Sequence, residues 1–164
     1  MFDVSHLGTV RLSDSEAADL VQNTLTNDLG KIQPGRAQYT HLLNVNGGVL
    51  DDIIIWWHHS GVIDVMPNAS NTESVRDALG GDDITTQRAV IAIQGPAAKE
   101  IAALVCPSFG TVGRFRVEEI MWNSVECTVA GTGYTGEPGL EISIPSSDAV
   151  ELWDALAEAV EFTA

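Results

Sequence analysis

The chain has 164 residues, of which 45% are hydrophobic and 19% are charged, and this composition is typical of a folded globular protein rather than a disordered one. Its 23 acidic and 8 basic residues give a formal net charge of −15, which repels both the phosphate backbone of nucleic acids and anionic membrane surfaces. No apolar run reaches the about 18 residues of a membrane-spanning helix. From the charge and the missing apolar run together, we expect neither nucleic acid nor a membrane as a partner.

The first half of the chain predicts strands and two short helices. A capping-box pattern at residues 13–16 predicts a helix from about Asp14 to Asn23. Asn46-Gly47 predicts a hairpin turn between two apolar runs, because both residue types accept a positive φ. Asn71 is a candidate cap of a second helix, which ends before Gly80-Gly81. The predicted strands are residues 2–12, 39–45, 49–57 and 61–66.

The second half predicts the element order β-α-β-β-β-α. Gln94-Gly95-Pro96 starts one helix with proline in its first turn, and Ser146 or Ser147 caps the last helix. Asn123-Ser124 is the turn of a second hairpin. The predicted strands are residues 89–93, 115–122, 125–130 and 140–144. The predicted apolar stripe of the last helix is Val150, Trp153, Ala157 and Val160, with Leu152 and Leu156 beside it.

These elements predict an α+β fold in which helices pack on antiparallel sheets and the second half is ferredoxin-like. The best internal boundary is the stretch from Gly80 to Asp83, which combines two glycines with two aspartates. We therefore expect one subdomain over residues 1–83 and another over residues 84–164.

A pair of carboxylates, Asp51 and Asp52, stands between a glycine-containing turn and the apolar run from Ile53 to Trp57. If this strand alternates, at least one of the two carboxylates faces away from bulk water. Burying an ionised carboxylate is costly unless it is hydrogen-bonded or paired, so a ligand contact or a proton-transfer role would explain its place. The alternative interpretation makes both aspartates turn residues after Asn46-Gly47, and this stretch alone favours neither.

The segment Gly131 to Gly136 matches GxGxxG by letter, but a dinucleotide site requires a following helix, and a strand follows here. We therefore interpret these glycines as positions where the backbone passes close to a ligand or another strand. Tyr134 offers a flat ring and a hydroxyl for a heteroaromatic ligand. Glu141 lies either on the solvent face of its strand, which the pattern alone favours, or inside, where it could accept N–H bonds from an aminopyrimidine-like edge.

The cysteines and histidines indicate no metal site. Cys106 and Cys127 lack metal-ligand spacing, so we predict free thiols, a reducing compartment and a cytoplasmic location. His58 and His59 are neighbours on a strand and point in opposite directions, so they cannot converge on one ion. We interpret this pair as a polar strand end, and no metal is expected.

Short segments in a common order extend over nearly the whole chain. They are Phe2–Gly8, Thr26–Asp28, Gly35–Leu43, Gly47–Asp52, Asn68–Asn71, Gln94–Pro96 and Gly131–Glu141. Any one of them is a weak signal, but together they closely resemble the T-protein (aminomethyltransferase) family of the glycine cleavage system. The resemblance implies tetrahydrofolate as cosubstrate and the lipoylated H-protein as partner. Members transfer the methylene of the aminomethyl-lipoyl arm to tetrahydrofolate and release ammonia.

The resemblance also implies roles for individual residues. Asp52 matches the family's key aspartate, so it is the predicted catalytic residue. Glu141 matches the glutamate that holds the amino-pyrimidine edge of the pterin, which favours its inside position. Trp56 stands where the family often has tyrosine, and Leu7 stands where methionine is usual, a swap that conserves volume. The predicted folate-binding residues are Tyr39, Asn68, Tyr134, Glu141, Trp56 and Leu7.

The chain departs from the family pattern in its extent. The family has a stretch before the Phe2 segment, a pterin-contacting arginine beyond residue 164 and a C-terminal barrel, so we expect a truncated version of the fold. Two alternatives stay open. One keeps the folate site but changes the donor, as in a folate-dependent demethylase or the folate module of a sarcosine or dimethylglycine oxidase. The other is a fragment that binds folate without catalysis.

Overall fold

The computed structural model describes residues 1–163, and its two five-stranded antiparallel sheets and four α-helices confirm the predicted α+β class. The strands are β1 (Phe2–Asp3), β2 (Val10–Leu12), β3 (Arg36–Leu43), β4 (Val49–Trp57), β5 (Ile63–Met66), β6 (Asp82–Asp83), β7 (Arg88–Gln94), β8 (Val117–Trp122), β9 (Val125–Ala130) and β10 (Gly139–Pro145). The helices are α1 (Ala17–Thr24), α2 (Thr72–Leu79), α3 (Ala98–Val105) and α4 (Ala149–Thr163).

The chain divides into two compact units. The first unit is His6–Thr85, and the second unit contains Met1–Ser5 together with the chain from Thr86 onward. The strand order is β3-β4-β5-β2-β6 in the first unit and β1-β7-β10-β9-β8 in the second. The expected boundary lies between residues 83 and 84, whereas the first unit ends at Thr85. Residues 1–5 belong to the second unit, because β1 pairs with β7.

The core of the first unit lies on one face of its sheet, where α1 and α2 pack. Ile53 and Ile55 of β4 are fully buried there, in the same cluster as Val75 of α2. Burial of each such side chain stabilises the fold by roughly 1.5–3 kcal/mol. Since side chains alternate along a strand, this packing assigns the two carboxylates at the start of β4 to opposite faces of the sheet.

The core of the second unit follows the same rule. Leu140 and Ile142 of β10 are fully buried with Leu152 and Leu156 of α4. Alternation then places Glu141, which lies between them, on the opposite face of the sheet from the helices.

Both predicted hairpins are confirmed. In the β3–β4 turn, the side-chain oxygen of Asn44 accepts the N–H groups of Asn46 and Gly48 at 2.9 and 3.0 Å. Gly47 has φ +81°, whereas Asn46 keeps a negative φ. In the β8–β9 turn, Asn123 and Ser124 have φ of 48° and 68°, the geometry of a type I′ turn.

The single strand predicted over residues 2–12 is wrong, because its ends form β1 and β2 in different sheets. The chain between them turns at Ser5 and His6, and the N–H of Gly8 then donates to the carbonyl of Pro67 at 3.1 Å. A Cβ at this glycine would collide with the side chain of Thr72. This break therefore depends on residues far along the chain, so the alternation of apolar and polar residues over positions 2–12 could not predict it.

Two details of the helices also differ from the predictions. The first helix begins at Ala17 rather than near residue 14, and Glu16 at its N-cap makes no side-chain capping bond. In the last helix, Leu152 and Leu156 are buried while Val150 is 71% exposed. The predicted stripe was wrong because apolar residues occur on both faces of this helix.

Both cysteines are free thiols, as predicted. Burial raises the pKa of Cys127 to about 12, so this thiol is an inert part of the core. Among the described residues, none of the helices combines the length and the apolar character that crossing a membrane requires.

Candidate functional site

The carboxylates at the start of β4 face different surroundings. Both residues lie within the strand, so the interpretation as turn residues is wrong. Asp51 is 3% exposed, whereas Asp52 is exposed. The predicted catalytic aspartate is therefore the one that a ligand in solution can reach.

Two side chains hold the carboxylate of Asp52 in place. The hydroxyl of Tyr39 donates to Oδ2 at 2.8 Å, and Nδ2 of Asn68 donates to Oδ1 at 3.1 Å. Tyr39 comes from β3, while Asn68 follows β5, so neighbouring parts of one sheet supply both donors. We call these three residues the Asp52 cluster. The structure thus brings together three of the residues that the sequence predicted.

The Asp52 cluster has a defined electrostatic character. Donation to Asp52, with smaller effects of burial and of both carboxylates, raises the pKa of Tyr39, so its hydroxyl remains a donor over a wide pH range. The ring of Tyr39 also packs edge-on against His41, with centroids 5.2 Å apart. A carboxylate that is oriented by donors and open to a ligand can accept a proton or stabilise positive charge.

Leu7 and Trp56, the other two predicted folate residues of the first unit, are both buried. Leu7 is 7% exposed and precedes Gly8, which is bonded to the residue just before Asn68. Trp56 is 1% exposed and shares a face of β4 with Asp52, about 13 Å along the strand. Within the described part of the chain, its indole N–H has no hydrogen-bond partner.

The remaining predicted folate residues lie in the second unit. Glu141 is 2% exposed, so the solvent-face position that the pattern alone favoured is wrong. The hydroxyl of Thr132 donates to Oε2 of Glu141 at 2.5 Å. Burial raises the pKa of Glu141, and the bond from Thr132 opposes that rise without cancelling it. Tyr134, two residues beyond Thr132, is 58% exposed.

The glycine-rich segment between β9 and β10 is organised by Gln94, for which the sequence predicted only a place at the start of a helix. Nε2 of Gln94 donates to the carbonyls of Thr132 and Leu140 at 3.1 and 3.3 Å. A Cβ at Gly133 or at Gly139 would collide with the Gln94 side chain. These glycines therefore serve close packing, as predicted, and β10 follows where a dinucleotide site would need a helix.

A buried ionic cluster in the first unit was also missed. Asp64 is 1% exposed and accepts two bonds from Arg11, both at 2.7 Å. Nε2 of His58 lies 2.9 Å from Oδ2 of the same carboxylate. His58 directly follows the last residue of β4, which fits its interpretation as a polar strand end, but it is 5% exposed and its bond to Asp64 was not predicted. Burial alone would raise the pKa of Asp64, but the bonds from Arg11 and His58 outweigh burial and lower it.

We expect Asp64→Asn to destabilise the chain by about 2–4 kcal/mol at pH 7, because it replaces the buried carboxylate that Arg11 and His58 share by a neutral amide with a single acceptor oxygen. A depressed pKa in the folded state adds stability above the unfolded pKa, and that stability is lost as the pH falls through the folded value. The difference between the two chains should therefore shrink below about pH 4. Urea unfolding at pH 7 and pH 3 measures it, with exposed Asp77→Asn as the control. Equal midpoints at pH 7 would contradict this account.

Comparison with known proteins gives a consistent result. The family model described as the GCVT N-terminal domain matches residues 1–163. Aminomethyltransferases of Chlorobaculum tepidum and of Parafrankia sp. are 39% and 40% identical to this chain over 97% and 98% of its length. The matched regions cover 47% and 46% of those proteins. The chain therefore spans about half the length of the curated relatives that it matches.

Solved structures show the same fold. The crystal structure of glycine cleavage system aminomethyltransferase T from Bartonella henselae matches 94% of this chain and 44% of its own, with a TM-score of 0.77 and 27% identity. A chain of the heterotetrameric sarcosine oxidase from Corynebacterium sp. U-96 matches 99% of this chain and 84% of its own, with a TM-score of 0.65. At 18% identity, this second likeness concerns the fold alone.

Proposed function

This chain belongs to the family of the GCVT N-terminal domain, and on that premise we propose that it is the folate-binding part of a glycine cleavage aminomethyltransferase. The proposed reaction takes the methylene from the aminomethyl-lipoyl arm of the H-protein to tetrahydrofolate and releases ammonia. The proposal includes the H-protein as partner and a cytoplasmic location, which two free cysteines would suit.

The observation that carries this proposal is the carboxylate of Asp52, which is exposed and accepts two side-chain hydrogen bonds. Tyr39 and Asn68 orient it from one strand and from the segment after another. Attack by a folate nitrogen on the methylene carbon develops positive charge and releases a proton. Asp52 would stabilise that charge or take that proton, and a positioned group of this kind accelerates a reaction by roughly 10²–10⁴-fold.

The second unit offers groups that fit a reduced pterin. Glu141 is a buried carboxylate that receives one hydrogen bond, from Thr132, among the residues described. Because a carboxylate can accept several bonds, the remaining capacity suits the N–H groups of an amino-pyrimidine edge. The exposed ring of Tyr134 would supply a planar surface for stacking.

Aminomethyl transfer is tested by its dependence on the donor. Calorimetry first measures tetrahydrofolate binding to the chain. Methylene-tetrahydrofolate and ammonia are then measured with aminomethyl-loaded H-protein, with unloaded H-protein as the control. Sarcosine and dimethylglycine are assayed in the same way as alternative donors. A two-electron acceptor is added because their N-methyl carbon is one oxidation level below methylene, and methyl-tetrahydrofolate is measured beside methylene-tetrahydrofolate. Where the gene encodes a longer product, that product is assayed in parallel.

We expect the chain to bind tetrahydrofolate saturably without the H-protein. Ammonia release should occur only with the loaded H-protein. A folate product that forms from sarcosine or dimethylglycine, but not from the loaded H-protein, would support the demethylase or oxidase alternative. Binding without turnover in either protein would leave a non-catalytic folate module. Absence of tetrahydrofolate binding would contradict the proposal.

A further inference from the structure

The buried carboxylate of Asp51, next to Asp52 in β4, accepts three hydrogen bonds from Asn68 and Asn71. Its Oδ1 accepts from Nδ2 of Asn68 and from Nδ2 of Asn71, both at 2.8 Å. Its Oδ2 accepts the backbone N–H of Asn68 at 3.1 Å. All three partners are N–H donors, and a carboxylate has only acceptor oxygens to offer them. Asp51 therefore holds both the backbone and the side chain of Asn68.

The amide of Asn68 consequently has a defined orientation. Its Nδ2 donates to Asp51 and, at 3.1 Å, to Oδ1 and to the carbonyl of Asp52. The opposite flip would direct Oδ1 of Asn68 at carboxylate oxygens, which is repulsive, so the hydrogen-bond network assigns the amide. No contact among the described residues engages this Oδ1. Asn68 is partly exposed and its Nδ2 lies 3.1 Å from Oδ1 of Asp52, so its oxygen is a candidate acceptor near that carboxylate.

We propose that Asp51 is a positioning residue that locks the amide of Asn68 with its oxygen toward the ligand. This inference rests on the proposed function, and it deepens that function by specifying what the site recognises. The oxygen of Asn68 and the carboxylate of Asp52 together present two adjacent acceptors. Such a pair binds an edge that carries N–H groups, as the reduced ring of tetrahydrofolate does, and disfavours an analogue whose corresponding nitrogens lack hydrogen.

The Asp51→Asn variant tests the lock, because an amide at position 51 can pair with Asn68 in either orientation. In the ligand-free chain, we expect the Nδ2 proton resonances of Asn68 to be protected from solvent exchange, and to shift and lose protection in the variant. Calorimetry with tetrahydrofolate should show affinity about tenfold weaker, which corresponds to an Asn68 amide that is flipped in roughly nine chains of ten. Asn68→Ala should weaken binding equally, and the double variant no further.

Asn71→Ala is the matched control, because it removes one bond to Asp51 and none to Asn68. A merely structural role of Asp51 predicts that the two variants behave alike. The positioning role predicts that Asn71→Ala keeps the Asn68 resonances and binds tetrahydrofolate within about twofold of the unaltered chain.

Unchanged Asn68 resonances in Asp51→Asn, or unchanged affinity, would overturn the inference. If the unaltered chain binds no tetrahydrofolate, the proposed function fails, and the ligand-free resonances alone decide the positioning role. If Asp51→Asn does not fold, the unaltered chain decides it: an Asn68 amide that exchanges as fast as a free amide overturns the lock, and a protected one supports it.

Discussion

Asp52→Asn is expected to lower the rate of aminomethyl transfer by roughly 10²–10⁴-fold while changing the affinity for tetrahydrofolate far less. The amide keeps the shape of the carboxylate, and its oxygen can still accept from Tyr39 or Asn68. What it loses is the negative charge that, in the proposed reaction, would stabilise a developing cation or take a proton. Turnover at saturating tetrahydrofolate with loaded H-protein, measured beside calorimetry, separates the two quantities.

Asp19→Asn is the appropriate control for this variant. It removes the same charge from an exposed position on α1 of the same unit. The control therefore reports any general effect of a less negative chain, and it should retain full turnover. Near-normal turnover in Asp52→Asn would rule out the proposed role. An equal loss in both variants would assign the effect to net charge.

Local signals predicted much of what surrounds Asp52. The Asn46-Gly47 turn and the alternation of β4 depend on residues within one hairpin, so a sequence registers them directly. The convergence of Tyr39 and Asn68 on Asp52 is different. No periodicity relates these positions, and their place in the prediction came from the resemblance to a family.

Long-range contacts explain what the sequence could not show. Asp64 and Arg11 are 53 positions apart, and the register of β2 against β5 brings them together. Asp51 is another case, because Asn68 and Asn71 reach it from the segment before α2. The side chain of Asn71 donates to Asp51, and it makes no capping bond to the helix that it was predicted to cap. Local helix chemistry was overridden by a contact near the candidate site.

Glu141 gives the second large expected effect. Glu141→Gln should weaken tetrahydrofolate binding by about 1–3 kcal/mol, or roughly 5- to 150-fold, since its amide N–H₂ would oppose a ligand N–H. Binding to the unaltered chain should also strengthen as the pH rises through the raised pKa of Glu141, because the ionised carboxyl accepts and the protonated one donates. Calorimetry across the acidic to neutral range measures both effects, and the glutamine variant should lack the pH-dependent step.

The stability of the same variant separates a binding role from a structural one. A raised pKa means that the folded chain favours the protonated form, so this residue's contribution to stability is present at low pH and lost as the pH rises through the folded value. Above the folded pKa of Glu141 the buried charge opposes folding, and a glutamine oxygen can still accept from Thr132. We therefore expect Glu141→Gln to be as stable as the unaltered chain, or more so, while it binds less. A variant that unfolds more easily but binds normally would show that Glu141 serves the fold.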